Sequence, residues 1–221
     1  ALIRRPLQER QEHPPLNIRA EIREGVAYIA GHPTLRVAVS YWGLISVITA
    51  GLIPVLTYFV TKQLGLSTAT FGLLLSVNGI GYLVGAIALN QVKIRSAGVM
   101  MIGGTAIEGL AMVAAVNGQV IVLFVAAFVV GLASAGVVIT YVTLRSAASP
   151  DELLGRVGST ARTLSIGLQP LGMIVAGVLL DRIGGGATLL LMGSALLVAT
   201  LGFSTSSALR GARVIGGHVP R

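Results

Sequence analysis

The sequence predicts an all-α integral membrane protein, a bundle of six transmembrane helices. Three observations predict it: six long apolar stretches, the placement of the basic residues around them, and a composition too apolar for a water-facing surface. The stretches are Val37–Val60, Ala69–Gln91, Ala97–Val116, Val120–Leu144, Val157–Leu180 and Ala187–Ser206. Each holds about twenty residues or more, and at a rise of ~1.5 Å per residue that crosses a hydrocarbon core of about 30 Å. Lipid offers the backbone no hydrogen-bond partner, so each stretch has to be helical. Alternating strand patterns of the outer-membrane type are absent.

If the first span leaves the cytoplasm, the connecting segments fall alternately inside and outside. The inside set holds Arg4, Arg5, Arg10, Arg19, Arg23, Arg36, Lys93, Arg95, Arg145, Arg156, Arg162, Arg210, Arg213 and Arg221, and the outside set only Lys62 and Arg182. That asymmetry places both termini in the cytoplasm of a multi-pass protein of the cell inner or plasma membrane. It also explains a net charge of +8 and a pI near 10.8 by topology, so no nucleic-acid partner is expected. A charged fraction of 11% and a mean hydropathy of +0.85 belong to a chain whose partner is the lipid bilayer. The 29 glycines suit close helix packing in lipid.

Several chemistries are excluded. With no cysteine there is no disulfide, thiolate metal site or thiol nucleophile. His13, His32 and His218 lie outside the spans, and no metal-ligand spacing occurs. The two lysines, Lys62 and Lys93, do not follow a glycine in a phosphate-loop pattern. No cofactor, metal or enzymatic site is expected.

Along the chain, residues 1–36 read as a cytoplasmic linker ending in an amphipathic segment, Asn17 to Ala30. Ile18, Ile22, Val26 and Ile29 share one face there, with Arg19, Glu21, Arg23 and Glu24 around the rest. Such a helix lies on the inner membrane surface or in solvent, and both readings stand. Residues 37–206 form the six-helix bundle, and residues 207–221 a basic cytoplasmic tail. Short connections make sequential helices neighbours. Asn117-Gly118-Gln119 is a tight turn. In the longest inner loop, Ser149 or Asp151 is placed to cap a short helical turn that Pro150 begins. Two sets of three spans would make an inverted repeat, of which only a loose correspondence is visible. Without an initiator Met, the chain reads as a fragment.

Two runs carry a family resemblance. Glu21-Ile22-Arg23-Glu24-Gly25-Val26-x-Tyr28-Ile29-x-x-His32-Pro33-x-Leu35-Arg36 resembles the central linker of major facilitator superfamily exporters. Glu152-Leu153-Leu154-Gly155-Arg156-Val157, Arg162-Thr163, Gln169-Pro170-Leu171-Gly172 and Gly177 look like the tenth-to-eleventh helix region of the same group. Enterobactin-exporter-like and macrolide-efflux-like proteins are the nearest branches. The resemblance implies helices seven to twelve of twelve. The N-terminal six-helix half, absent from this chain, would then be the partner, and the function secondary active efflux.

Ionisable groups inside a bilayer are costly and are functional candidates by default. Glu108, near the middle of the third span, is a candidate proton carrier or a structural carboxyl bonded to Thr105 or to a neighbouring helix. The resemblance argues against the first role, because the ninth helix is usually peripheral. Arg162 heads a polar stripe with Ser159, Ser165 and Gln169 in the fifth span. It contacts substrate or a gate, or it snorkels to headgroups or pairs with an acid of the other half.

A substrate path is expected along the first span, where Trp42, Ser46, Thr49, Ile53 and Thr57 recur at three or four and Pro54 frees a carbonyl near Ala50. The same hydroxyls also suit plain helix–helix bonding. Asn78, Gly81, Tyr82 and Gly85 share a face of the second span. Gly81-x-x-x-Gly85 argues close packing there, with Asn78 as an interhelical bond. In the fourth span, Gly131, Ser134, Ala135 and Gly136 read as packing, and Tyr141 as a cavity residue.

Two functional readings follow. One is proton-coupled efflux of small amphipathic compounds by alternating access. The other is a non-transporting scaffold, or the membrane domain of a multi-subunit transporter driven by a separate ATPase. The short inner loops disfavour the second.

Overall fold

The structure is a computed structural model that describes residues 18–91 and 96–210. Two short helices flank the bundle, α1 (Ile18–Gly31) at its start and α9 (Ser207–Arg210) at its end. Between them run α2 (Pro33–Thr49), α3 (Leu52–Tyr58), α4 (Thr68–Gln91), α5 (Ala97–Ala115), α6 (Val120–Ala147), α7 (Leu154–Gly167) and α8 (Gln169–Ser204). The basic residues before position 18, those at 93 and 95, and the tail after 210 lie outside the described residues.

Local chemistry sets the breaks. Pro33 opens α2 behind a single extended residue, His32, so α1 runs almost directly into the first apolar stretch. Pro54 has no N–H to give the Ala50 carbonyl, and the helix divides at Ala50–Gly51 into α2 and α3. A π turn, Phe59–Gln63, ends that span. Ser96 caps α5 by accepting the Val99 N–H at 3.4 Å. After α6 a single tight turn, Asp151–Leu153, begins behind Pro150 as expected. Neither Ser149 nor Asp151 caps it, because the Ser149 hydroxyl instead donates to the Arg145 carbonyl at 2.8 Å.

Among the described residues, five helical stretches are long and apolar enough to span a membrane: Pro33–Gln63, Thr68–Leu89, Ala97–Ala115, Val120–Ala147 and Asp151–Ser204. The first four coincide with expected spans. The last two expected spans are continuous here, as one 54-residue stretch. Drawn straight it would reach about 80 Å, far beyond a bilayer core. It is not straight. Gly184, at φ 78° and ψ 173°, breaks α8 with a conformation that an L side chain rarely adopts. Gln63 seals the break, its Oε1 accepting the Gly186 N–H at 2.7 Å.

Helix packing depends on missing side chains. α4 and α6 lie against each other along much of their length, as do α5 and α6, α5 and α8, and α2 and α8. A Cβ at Gly81 would run into the Phe128 carbonyl, and one at Gly131 into the Asn78 carbonyl. The small-residue spacing in α4 thus permits the close approach expected of it. Large side chains fill the interior, among them Tyr41, Met101, Leu144, Leu189 and Leu196, all under 2% exposed. The outer faces are apolar as well, with Leu83 at 60%, Ile121 at 79% and Leu201 at 69% exposure. Such a surface suits hydrocarbon rather than water.

At one end of the bundle, α1 docks on α7. Arg156 donates to Glu24 at 2.6 Å, and the Tyr28 hydroxyl donates to the Ala148 carbonyl at 3.0 Å. Gly25 lies directly over Thr160. Of the expected apolar face, Ile29 is buried while Ile22 and Val26 remain exposed. The helix therefore packs on protein by one edge only.

Candidate functional site

A cavity of about 330 Å3 lies among α2, α3, α4, α5, α6 and the second segment of α8. Helical periodicity delivers its walls. On α2 and α3, Trp42, Ile45, Thr49, Leu52 and Leu56 fall at spacings of three and four. On α5, Glu108, Ala111, Met112 and Ala115 repeat the pattern. On α6, Ala127, Val130, Ser134 and Val138 face them, and Asn78 enters from α4. The surface is mostly aliphatic, with a few polar groups at fixed places, as small-molecule sites are built.

Glu108 is the one ionisable side chain among the lining residues. Only 6% of it is exposed. Its Oε1 accepts the Ser134 hydroxyl at 2.7 Å, tying α5 to α6. The partner is thus a neighbouring helix and not Thr105, whose buried hydroxyl finds no hydrogen bond among the described residues. The carboxyl-bearing face of α5 is turned toward the cavity, while Ile107 and Leu110 on its other side are exposed.

Asn78 combines two roles. Its amide donates to the Ala127 carbonyl at 2.9 Å while the residue borders the cavity. The Thr49 hydroxyl is turned back onto the Ile45 carbonyl at 2.9 Å, which satisfies it inside its own helix.

Trp42 is the cavity residue nearest the amino end of α2, and behind it stands Tyr141 of α6. The two rings are stacked, with centroids 4.7 Å apart. The Arg145 guanidinium lies 5.5 Å from the Tyr141 centroid, within cation–π range. Tyr141 is therefore in contact with the cavity wall without lining the cavity itself.

Of the expected path residues, Trp42, Thr49, Ile53 and Asn78 meet at the cavity, together with Glu108. Ser46 is buried in α2 away from it. Thr57 bonds the Ile53 carbonyl and lies beyond the lining. Tyr82 sits on the outside of α4, 38% exposed. Arg162 is exposed on α7 and Gln169 half-buried at the start of α8, both apart from the cavity.

The polar stripe around Arg162 is divided. Ser159 is exposed like Arg162, whereas Ser165 is buried and bonded to the Ala161 carbonyl at 2.9 Å.

Ser134 is the site residue that the sequence reading assigned to packing. A signal for it existed, because Ser134 stands seven residues before Tyr141 and shares its face of α6.

A family model described as "Uncharacterised MFS-type transporter YbfB" matches residues 48–160, from within α2 to α7. No curated protein matches the chain. The matched segment contains α3 to α6 entire, and with them most of the cavity wall. It covers just over half of the sequence, and the chain belongs to this family of MFS-type membrane transporters.

Proposed function

We propose that the chain is one six-helix half of a secondary active transporter that exports small amphipathic compounds by alternating access. The observation that carries the reading is a mostly aliphatic cavity, enclosed by several helices of the bundle, with Glu108 as its one ionisable group. Gly184 supplies the sixth pass. Its break lets the long last stretch fold back, so that its two segments each cross the bilayer.

With sixteen Lys and Arg so unevenly placed, the positive-inside rule puts the amino end of α2 at the cytoplasm. The cavity then opens in the outer half of the membrane, and Trp42 stands on its cytoplasmic side. Glu108 is the candidate for carrying a coupling proton, since among the described residues no other titratable side chain borders the cavity. Arg162 and Ser159 sit on an exposed face of α7, which we assign to contact with the N-terminal half.

Flux of a fluorescent amphiphile in proteoliposomes tests the reading. Uptake or release that collapses with an uncoupler supports proton-driven transport. ATP dependence through a second chain would favour the multi-subunit alternative. The intact mass from the native membrane decides between a covalent pair of halves, at about twice 22.7 kDa, and a self-pairing half.

A further inference from the structure

We infer that the cavity selects an amphiphilic monocation, held between the Glu108 carboxylate and the Trp42 indole. The inference deepens the transporter reading and rests on it. Burying a carboxylate in a low-dielectric site is costly unless a positive partner or a proton accompanies it. The described residues supply no such partner here. Among the described residues no Lys, Arg or His lines the cavity, and the ion pair present, Glu24 with Arg156, joins α1 to α7 outside it. Arg145, the base nearest the aromatic pair, is committed to the Tyr141 ring.

One hydroxyl hydrogen bond, from Ser134, orients the carboxyl, and its second oxygen takes none among the described residues. The remaining wall is aliphatic apart from Thr49, Asn78 and Trp42, and the Thr49 hydroxyl is already spent on its own helix. Nothing on the wall provides the cationic donors that an anionic ligand needs. A cation finds a carboxylate and the quadrupole of an indole, an attraction that strengthens as water leaves. Aliphatic side chains then take up the apolar part of the ligand. Charge therefore selects, and apolar area holds.

The test is equilibrium binding to the full-length protein in detergent, with empty micelles subtracted. The probes are methyltriphenylphosphonium and triphenylphosphine oxide, nearly one shape, of which only the first is charged. The wild type should bind the cation about tenfold tighter or more. Glu108→Gln keeps the volume and an acceptor for Ser134, and should lose that preference. Glu108→Asp, which keeps the charge, should retain it.

Equal affinities for the two probes in the wild type overturn the inference, as does the absence of saturable cation binding. An undiminished preference in Glu108→Gln overturns it too. Should that variant fail to fold, the wild-type comparison of the two probes decides. The transporter reading is judged apart, by flux in proteoliposomes. Movement of the oxide as readily as the cation keeps the transporter and removes the selectivity. Absence of flux for any amphiphile removes the transporter.

Discussion

The Trp42 indole lies nearly flat on the phenol of Tyr141, with the ring planes 10° apart. This pair joins α2 to α6 and backs the cavity at its boundary toward the α2 amino end. Stacking of this kind contributes about 0.5–1.5 kcal/mol beyond the area it buries. A double-mutant cycle of Trp42→Ala and Tyr141→Ala, followed by detergent-induced unfolding, should return a coupling of about that size. Strictly additive losses would show that the contact carries no energy of its own.

The α4–α6 crossing makes a sharper prediction. Gly131→Ala drives a methyl into the Asn78 carbonyl, a backbone atom that cannot step aside. Overpacking of this sort costs about 1–3 kcal/mol, so the variant should accumulate poorly or unfold early. Gly103→Ala is the matched control, with nothing within 4 Å of the added Cβ. It should be neutral or stabilising by up to about 1 kcal/mol. Similar behaviour of the two variants in size-exclusion profiles and thermal stability would refute the packing account.

At the break in α8, Gly184→Ala places an L side chain at φ 78°. With ψ at 173° this is a backbone region essentially confined to glycine, and it costs about 1–3 kcal/mol for a residue with a Cβ. That methyl also meets the Gln63 amide. Gln63→Ala removes the acceptor of the Gly186 N–H, a loss of about 0.5–1.5 kcal/mol. Thermal stability should fall for each variant, and by less than the sum when both are combined, because both act at one contact.

Arg162 and Arg210 separate a role at the assigned interface from simple positive charge. At matched expression, Arg162→Ala should lower flux severalfold while Arg210→Ala leaves it near wild type. Equal transport by the two variants removes the interface role proposed for Arg162.

Much of the fold was legible because lipid simplifies the problem. A backbone without water must hydrogen-bond within its own segment, so apolar length alone locates helices such as α4 and α6. Proline and glycine punctuation was equally readable. Pro54 divided the first span at Ala50, and Gly81 and Asn78 met α6 as their spacing implied. The break at Gly184 falls in the connection expected between Leu180 and Ala187, but which of three consecutive glycines turns the chain was not legible, because that rests on the contact with Gln63.

The site was less legible, because a helix shows its neighbours only which residues share a face. Thr57, Tyr82 and Arg162 follow the same kind of periodicity as Trp42 and Asn78, yet the three lie away from the cavity. Rotation of each helix about its axis decides this, and rotation is set by contacts between chain segments far apart in sequence.

By itself, then, the sequence determined the class of protein and where its apolar helices lie, since both follow from local composition against a slab of hydrocarbon. Only the tertiary structure decided that Glu108 faces a cavity, that Ser134 holds it and that Tyr141 stands behind Trp42. Those pairings join residues 26 positions apart and farther, and they exist only once packing has fixed which faces meet.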